Sequence, residues 1–237
     1  DPAGPTFRHE AFEQYKAQRE ETPEAIRLSV PIIKEIIRAY RIPILEVAGY
    51  EADDVIGTLA TEAGRQGIIT YMMTPDKDYG QLVSDKVFMY RPKHTGGFEV
   101  MGVDEVKAKF DIQSPAQVID MLGLMGDSSD NIPGCPGVGE KTAQKLIAEF
   151  GSIENLLEHT DQLKGALKTK VETNREMITF SKFLATIKID VPIQLDMDSL
   201  VREQADEDSL RQIFEELEFR TLIDRVLKKE NAGNGIT

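Results

Sequence analysis

Three short stretches of the sequence contain carboxylates at spacings that can bring their side chains together. They are YEADD, TPDKD and GDSSD, whose acidic residues are Glu51, Asp53, Asp54, Asp76, Asp78, Asp127 and Asp130. Residues three apart share one face of a helix, which applies to the first and third stretches. Residues two apart point the same way in an extended chain, which applies to the second. So many carboxylates in one cleft would repel each other unless cations were present.

The chemistry of these oxygens favours one class of cation. Carboxylates without a His or Cys cluster suit Mg²⁺ or Mn²⁺ better than zinc. Two such ions about 4 Å apart would stabilise both the attacking water and the leaving oxygen of a phosphodiester displacement. The alternative is structural, because Asp and Glu commonly cap helices and form turns. The spacing leaves both interpretations open, since it does not show that the three stretches meet.

A candidate anion site follows the third acidic stretch. The segment IPGCPGVGEKTAQKL places Gly137 and Gly139 directly before a predicted helix. Glycines permit positive φ and close approach, and the free N–H groups of a helix N-terminus bind phosphate oxygens. Lys141 and Lys145 add positive charge near Thr142. The segment is a candidate helix-hairpin-helix, which holds the sugar-phosphate backbone without reading bases; the alternative is a tight turn between two core helices.

Composition sets the class of protein. The 237 residues are 41% hydrophobic and 29% charged, and the single cysteine, Cys135, rules out an internal disulfide. No apolar run is long enough to cross a bilayer and no signal peptide is visible, so we expect a globular, cytoplasmic protein. The net charge of −13 is concentrated in residues 51–130 (−7) and 190–237 (−6). A local nucleic-acid surface therefore remains compatible with the acidic total.

The pattern of apolar residues predicts an α/β fold. We predict a helix over 24–40, a strand over 42–47, a helix over 51–66, a strand over 68–74, a hairpin from VFMYRP and FEVMGV, and mostly helices after Val103. Strand, helix, strand predicts a right-handed parallel crossover, hence a helix-covered, mostly parallel sheet. Residues 1–112 would form this half, 113–189 a helical DNA-binding region, and 190–237 a C-terminal segment. The opening DPAGPTF has no strand before it, which is typical of a fragment or a shortened mature form.

Together these motifs carry a family resemblance. YEADD, TPDKDYGQLVSD and GLMGDSSDNIPGCPGVGEKTAQKL resemble the acidic motifs and hairpin of the 5′-nuclease (flap endonuclease) family, most closely the 5′→3′ exonuclease domains of bacterial DNA polymerases. FRHEAFEQYKAQR resembles the helical arch of that family, and FEELEFRTLIDRV the segment leading to a next domain. The resemblance runs nearly from end to end and implies a PIN-like nuclease fold.

The resemblance also implies roles for individual residues. The seven acidic residues and Asp1 would form the metal site, directly or through water. Lys16 and Arg19 would approach the scissile phosphate and stabilise its developing charge. Arg8 and Tyr15 would hold or stack a single strand. The family begins with a central strand that carries a further metal-binding aspartate, and this sequence has none before Asp1.

The implied function is a Mg²⁺-dependent 5′→3′ exonuclease and flap endonuclease, with Mn²⁺ as a substitute and K⁺ at the hairpin. It would remove RNA primers and 5′ flaps in replication and repair, as a monomer at the nucleoid. Polymerase and 3′–5′ exonuclease-like domains would lie in the same chain. Two rivals remain. A non-catalytic DNA-binding module would use the hairpin alone, and a small-molecule metallophosphatase would leave the hairpin and the arch unexplained.

Overall fold

The computed structural model describes residues 2, 4–93 and 95–227. They form two compact units, the first within residues 1–19 and 46–195 and the second within residues 20–45 and 196–237. The first unit contains the sheet, the acidic stretches and the hairpin. The predicted boundaries at residues 112 and 189 stay predictions.

The sheet of the first unit has three strands. They are β1 (Thr70–Met73), β2 (Val87–Pro92) and β3 (Phe98–Met101), in that order across the sheet. β1 pairs with β2 in parallel and β2 with β3 antiparallel, which confirms the predicted hairpin. Met72, Met89 and Met101 lie in register across the strands and are all buried. Because side chains alternate along a strand, the residues next to each methionine in its own strand point to the opposite face of the sheet.

The predicted strand over 42–47 is wrong. These residues form no strand, and within the described ranges no strand pairs with them. The run of apolar residues resembles a buried strand, but a strand also needs a neighbour for its backbone N–H and C=O groups. Ile42 and Leu45 remain 43% and 42% exposed. The parallel connection instead joins β1 to β2 through a 3₁₀ helix at Lys77–Leu82.

Helices make up most of the remaining chain, in agreement with the predicted α/β class. The predicted helices over 24–40 and 51–66 are confirmed. No helix of the described part is long and apolar enough to cross a membrane. In chain order the α-helices are α1 (Phe7–Ala11), α2 (Glu24–Ala39), α3 (Ala52–Arg65), α4 (Val103–Phe110), α5 (Val118–Met125), α6 (Glu140–Phe150), α7 (Ile153–Glu158), α8 (Gly165–Thr173), α9 (Arg175–Ala185), α10 (Glu207–Glu216) and α11 (Arg220–Leu222).

Helix α5 is the centre of the helical region of the first unit. Its Leu122 is fully buried, and a Cβ at Gly123 would lie 3.1 Å from the backbone of Lys182 in α9. The ammonium of Lys182 lies 2.6 Å from Asp120 in α5 and 2.8 Å from Glu154 in α7. One lysine therefore joins three helices, and removing Lys182 would leave the buried carboxylate of Asp120 without its cation.

The second unit packs α2 against the C-terminal helices. Asp206 begins α10 by accepting a hydrogen bond from the N–H of Ser209 at 3.0 Å. The N–H of Asp206 in turn donates to the carbonyl of Ala39 at the end of α2. The buried core of this unit consists of Ala39, Leu210, Phe214 and Leu227.

The third acidic stretch is a loop that closes on itself. Asp127 and Ile132 exchange two backbone hydrogen bonds of 3.0 and 2.8 Å. Gly126, at φ +72°, and Gly134, at φ +62°, bring the two ends of the loop together. A Cβ on Gly126 would lie 2.5 Å from the carbonyl oxygen of Ile132, and one on Gly134 would overlap the backbone N of Gly126. This closure fixes the positions of the two aspartates in the loop.

Substitution of Gly134 tests this closure. Gly134→Ala should lower the free energy of unfolding by at least about 2 kcal/mol, because it adds a backbone overlap to an unfavourable φ. Gly151→Ala is the matched control, since Gly151 also has positive φ but nothing within 4 Å of its Cβ position. The control should lose only about 1 kcal/mol. Equal losses in urea unfolding would contradict the close packing.

Candidate metal and nucleic-acid site

The three acidic stretches meet in the first unit, and two lysines join them. The Lys16 ammonium lies 2.6 Å from Glu51 Oε1 and 3.5 Å from Asp130 Oδ2. The Lys77 ammonium contacts Asp127 and lies 3.5 Å from Asp78 Oδ1. The first lysine thus joins the first and third stretches, and the second lysine joins the second and third. The three acidic stretches therefore do lie together, which their spacing in the sequence could not show.

Arg8 ties the first stretch to the helical region. Its guanidinium donates to both oxygens of Asp54 at 2.8 Å and to Glu51 Oε2 at 3.0 Å. It also donates to the carbonyl oxygens of Leu184 at 2.9 Å and Thr186 at 2.6 Å. The side chain is buried, so α1, α3 and the end of α9 share one fully bonded cation.

Asp54 and Arg8 lie together in one buried cluster. Asp54 is fully buried, and its oxygens accept further hydrogen bonds from the N–H groups of Glu51 and Lys188. Both of its oxygens are therefore occupied by hydrogen bonds in this structure, and its role at a metal site, directly or through water, stays a prediction. Arg8 faces the same buried cluster, and its role in holding a single strand stays a prediction.

Tyr15 likewise faces inward. Its ring is buried, and its hydroxyl donates to Glu51 Oε2 at 3.1 Å and Asp130 Oδ2 at 3.2 Å. Burial, followed by the charges of these two carboxylates, raises the pKa of Tyr15, so the phenol stays protonated. In this structure Tyr15 orients two acidic residues and offers no face on which a base could stack.

The segment that resembles an arch is bound to the third acidic loop. The N–H of Lys16 donates to the carbonyl of Asp130 at 3.1 Å, and Gln18 donates to the carbonyl of Ser128 at 2.6 Å. Asn131 donates back to the carbonyl of Gln14 at 2.7 Å. Lys16 and Asn131 both have positive φ, near 56° and 57°, a strained conformation that is common at functional sites.

Arg19 differs from the other cations of the site because it is open to solvent. Its guanidinium lies 2.6 Å from Asp130 Oδ1, yet its side chain remains 56% exposed. It can therefore reach a bound ligand while it stays near the acidic residues. Of the two predicted catalytic residues, Lys16 is largely buried and Arg19 is accessible.

Burial and mutual repulsion perturb the acidic residues near the 3₁₀ helix. Burial raises the pKa of Asp53, and the charges of Glu51 and Asp76 add to the effect. The hydroxyl of Tyr79 donates to Asp53 at 2.7 Å and partly offsets the shift. Asp76 is exposed and accepts a hydrogen bond from the N–H of Asp78 at 3.0 Å. The first and second stretches therefore share one electrostatic environment.

The pKa values of Asp78 and Asp127 shift in opposite directions. Burial raises the pKa of Asp78 to about 7, and its Oδ1 has no hydrogen-bond partner. Burial would also raise the pKa of Asp127, but hydrogen bonds from Lys77 and Ser129 outweigh it and lower the pKa. One carboxylate is thus held charged, while its neighbour lacks a stabilising donor.

The donor set fits a hard divalent cation. Across the described residues, no group of three or more His, Cys, Asp or Glu side chains is arranged to hold a metal ion. The oxygens point instead towards Arg8, Lys16 and Lys77. All of them are carboxylate oxygens, the ligands that Mg²⁺ prefers, and one of them, Asp78 Oδ1, accepts no hydrogen bond and lies 3.5 Å from the Lys77 ammonium. Asp1 lies outside the described residues.

The glycine hairpin is exposed, as an anion site requires. Gly137 is at φ +75°, and Gly139 directly precedes α6. Lys141 and Lys145 are exposed on α6, and Thr142 is partly buried. The N-terminus of this helix, with positive charge nearby, suits a phosphate group.

Some residues of the site were not predicted. Lys77 and Tyr79 bond to the acidic residues of the first unit, and Gln18 and Asn131 bind the arch-like segment to the acidic loop. A signal for Lys77 was available, because a cation between two aspartates in DKD has carboxylates within reach on both sides. The other three depend on contacts that no local pattern reports.

Solved nucleases share this fold. The T5 5′-exonuclease with bound zinc superposes with a TM-score of 0.63 at 22% identity, covering 91% of this chain and 80% of that one. The catalytic core of Rad2 in complex with a DNA substrate gives a TM-score of 0.64 at 17% identity, covering 97% and 76%. At these identities the likeness concerns the fold.

Sequence relatives are longer proteins. DNA polymerase I of Bacillus caldotenax is 41% identical and that of Bacillus subtilis 43% identical, each over 228 residues. These matches cover 95% of this chain and 26% of each relative, so the chain spans about a quarter of their length. The model of the 5′-3′ exonuclease N-terminal resolvase-like domain matches residues 1–111, and that of the 5′-3′ exonuclease C-terminal SAM fold matches residues 113–208. The chain therefore belongs to the 5′-3′ exonuclease family.

Proposed function

We propose that this chain is the 5′→3′ exonuclease and flap endonuclease part of a DNA polymerase I. It would hydrolyse phosphodiester bonds near a 5′ end and remove RNA primers and 5′ flaps in replication and repair. The observation that carries this proposal is the meeting of three acidic stretches around Lys16 and Lys77, in the unit that also presents the glycine hairpin. A nuclease needs both a cation site that carries out the hydrolysis and a phosphate-binding site that holds the substrate.

Mg²⁺ is the proposed cofactor, with Mn²⁺ as a substitute. When bound, such an ion activates water at neutral pH and stabilises the leaving oxygen. The residues proposed to hold it, directly or through water, are Glu51, Asp53, Asp54, Asp76, Asp78, Asp127 and Asp130, together with Asp1. The T5 5′-exonuclease with bound zinc and the Rad2 core with bound DNA support this assignment by analogy of fold alone.

Two positive side chains that pair with the acidic residues are also proposed to contact the substrate. Lys16 and Arg19 lie beside Asp130, at the side of the acidic cluster where the arch-like segment binds. In the proposed reaction they position the scissile phosphate and stabilise the charge that develops on it. This arrangement favours a nuclease over a module that only binds DNA, since binding alone would need no cations among carboxylates.

DNA is the proposed partner, held at the hairpin through its phosphates. K⁺ is proposed at the same hairpin. Lys170 already donates to the carbonyl of Gly137 at 3.3 Å, which supports a cation next to this backbone. The polymerase and 3′–5′ exonuclease-like domains of the same chain, and a monomeric state, complete the proposal.

Cleavage of a 5′-labelled flap substrate, with Mg²⁺ and with EDTA, tests the proposal as a whole. We expect cutting near the junction with Mg²⁺ and none with EDTA. Tight flap binding without cutting under either condition would favour the DNA-binding module. Turnover of p-nitrophenyl phosphate without cutting of the flap would favour a phosphatase.

Substitution of Asp127 separates chemistry from binding. Asp127→Asn keeps the shape of the side chain, and we expect it to lower the cleavage rate by at least about 100-fold through loss of a metal-binding charge. Flap affinity in EDTA should stay within about twofold, because the hairpin is unchanged. Asp85→Asn is the control, because Asp85 is exposed and lies at the opposite end of the strands from Asp76. Asp85 comes just before β2, whose first residue pairs with the first residue of β1, whereas Asp76 follows the last residue of β1. A similar loss of rate in both variants would contradict the assignment.

Substitution of the hairpin lysines should have the reverse effect. The pair Lys141→Gln and Lys145→Gln removes two exposed charges beside the hairpin. We expect duplex affinity to weaken and the slope of log affinity against log salt to fall by about 2. Single-turnover cleavage at saturating DNA should be unchanged. An unaltered salt slope would show that these lysines do not contact phosphates.

A further inference from the structure

Lys77 occupies an unusual position within the acidic cluster. It lies between Asp76 and Asp78 in the sequence, and its ammonium reaches across to Asp127 in the third stretch. The same ammonium lies 3.5 Å from Asp78 Oδ1, the oxygen that has no hydrogen-bond partner. The Lys77 side chain is 38% exposed, so part of it already lies in solvent.

The carboxylates that Lys77 joins are largely removed from water. The Asp127 side chain is 5% exposed and that of Asp78 is 16% exposed. Two buried carboxylates without a cation are strongly destabilising, because each loses its hydration and repels the other. A divalent ion between them would remove this penalty, and so does the ammonium of Lys77. Both cations need the same oxygens and repel each other, so they cannot be bound there together.

We propose that Lys77 is an internal counter-ion that replaces the metal between Asp78 and Asp127 and must be displaced when a divalent ion binds. This inference rests on the proposed metal-dependent function and deepens it. Lys77 stabilises the metal-free protein, and the same contact weakens the affinity for the metal. The residue therefore sets the metal concentration at which the site fills.

Lys182 provides a matched control within the same unit. Its ammonium also joins two carboxylates from different elements, Asp120 at 2.6 Å and Glu154 at 2.8 Å. Neither carboxylate belongs to the three acidic stretches. Loss of the Lys182 charge should destabilise the protein for the same reason as loss of the Lys77 charge, but without any consequence for the metal site.

The experiment compares Lys77→Met and Lys182→Met with the unchanged protein. Melting temperature is measured in EDTA and in Mn²⁺, and Mn²⁺ affinity is measured from the EPR signal of the free ion. Both variants should melt at a lower temperature in EDTA. Lys77→Met should bind Mn²⁺ about tenfold more tightly, since no charged hydrogen bond has to be broken. Mn²⁺ should then restore its melting temperature, whereas Lys182→Met should keep the affinity of the unchanged protein and its melting deficit.

Two further variants keep a polar side chain at position 77, in case Lys77→Met does not fold. They also distinguish the effect of the Lys77 charge from that of its shape. Lys77→Gln is neutral but can still donate to Asp127, and it should also bind Mn²⁺ more tightly. Lys77→Arg keeps the charge and should bind no more tightly than the unchanged protein. Tighter binding by Lys77→Arg would show that side-chain shape, and not charge, opposes the metal, which would overturn the inference.

Other outcomes distinguish this inference from the function on which it rests. If the unchanged protein binds Mn²⁺ and Lys77→Met binds it with equal or lower affinity, the inference is overturned while the metal-dependent nuclease stands. Equal tightening in Lys182→Met would also overturn it, because the effect would then be general loosening. If neither the unchanged protein nor any variant binds Mn²⁺, both proposals are overturned.

Discussion

Mutual repulsion among carboxylates is the constraint on which the rest of the site depends. Three acidic stretches meet in one unit, and each carboxylate there needs a cation or a donor. Arg8, Lys16 and Lys77 supply that positive charge from different parts of the chain. Because each cation also contacts a second element, neutralising the acidic residues simultaneously fixes α1, the 3₁₀ helix and the third acidic loop. The same ion pairs therefore neutralise the acidic residues and hold these elements in place.

The cations of the site differ in how firmly they are held. Arg8 makes bonds with Asp54, Glu51 and two backbone carbonyls in a buried setting, so it belongs to the framework. Lys77 has fewer bonds and is partly exposed, and Arg19 is more exposed still. This gradient from buried to exposed charge matches the proposal that the site keeps its shape while a divalent ion displaces Lys77. The exposed hairpin lies in the same unit, where it can hold a phosphate backbone.

Local patterns predicted the helices and the hairpin, because their signals are periodic and short in range. The strand over 42–47 failed since apolar runs do not report whether a pairing partner exists. The convergence of Glu51, Asp78 and Asp127 followed from the family resemblance and not from spacing. The inward positions of Arg8 and Tyr15 could not be predicted, because their partners are distant in the sequence. Arg8 bonds to the carbonyl of Leu184, 176 residues away, and Tyr15 bonds to Asp130, 115 residues away. Lys77 could have been predicted from DKD, but its partner Asp127 could not.

The central claim is that ammonium groups and a divalent metal share the same carboxylates. A crystal structure of the protein soaked in Mn²⁺, with anomalous scattering to locate the ion, tests it most directly. The account predicts Mn²⁺ bonded to Asp127 and Asp78, with the Lys77 ammonium withdrawn from both. Mn²⁺ bound elsewhere, or bound there with the contact between Lys77 and Asp127 intact, would contradict it.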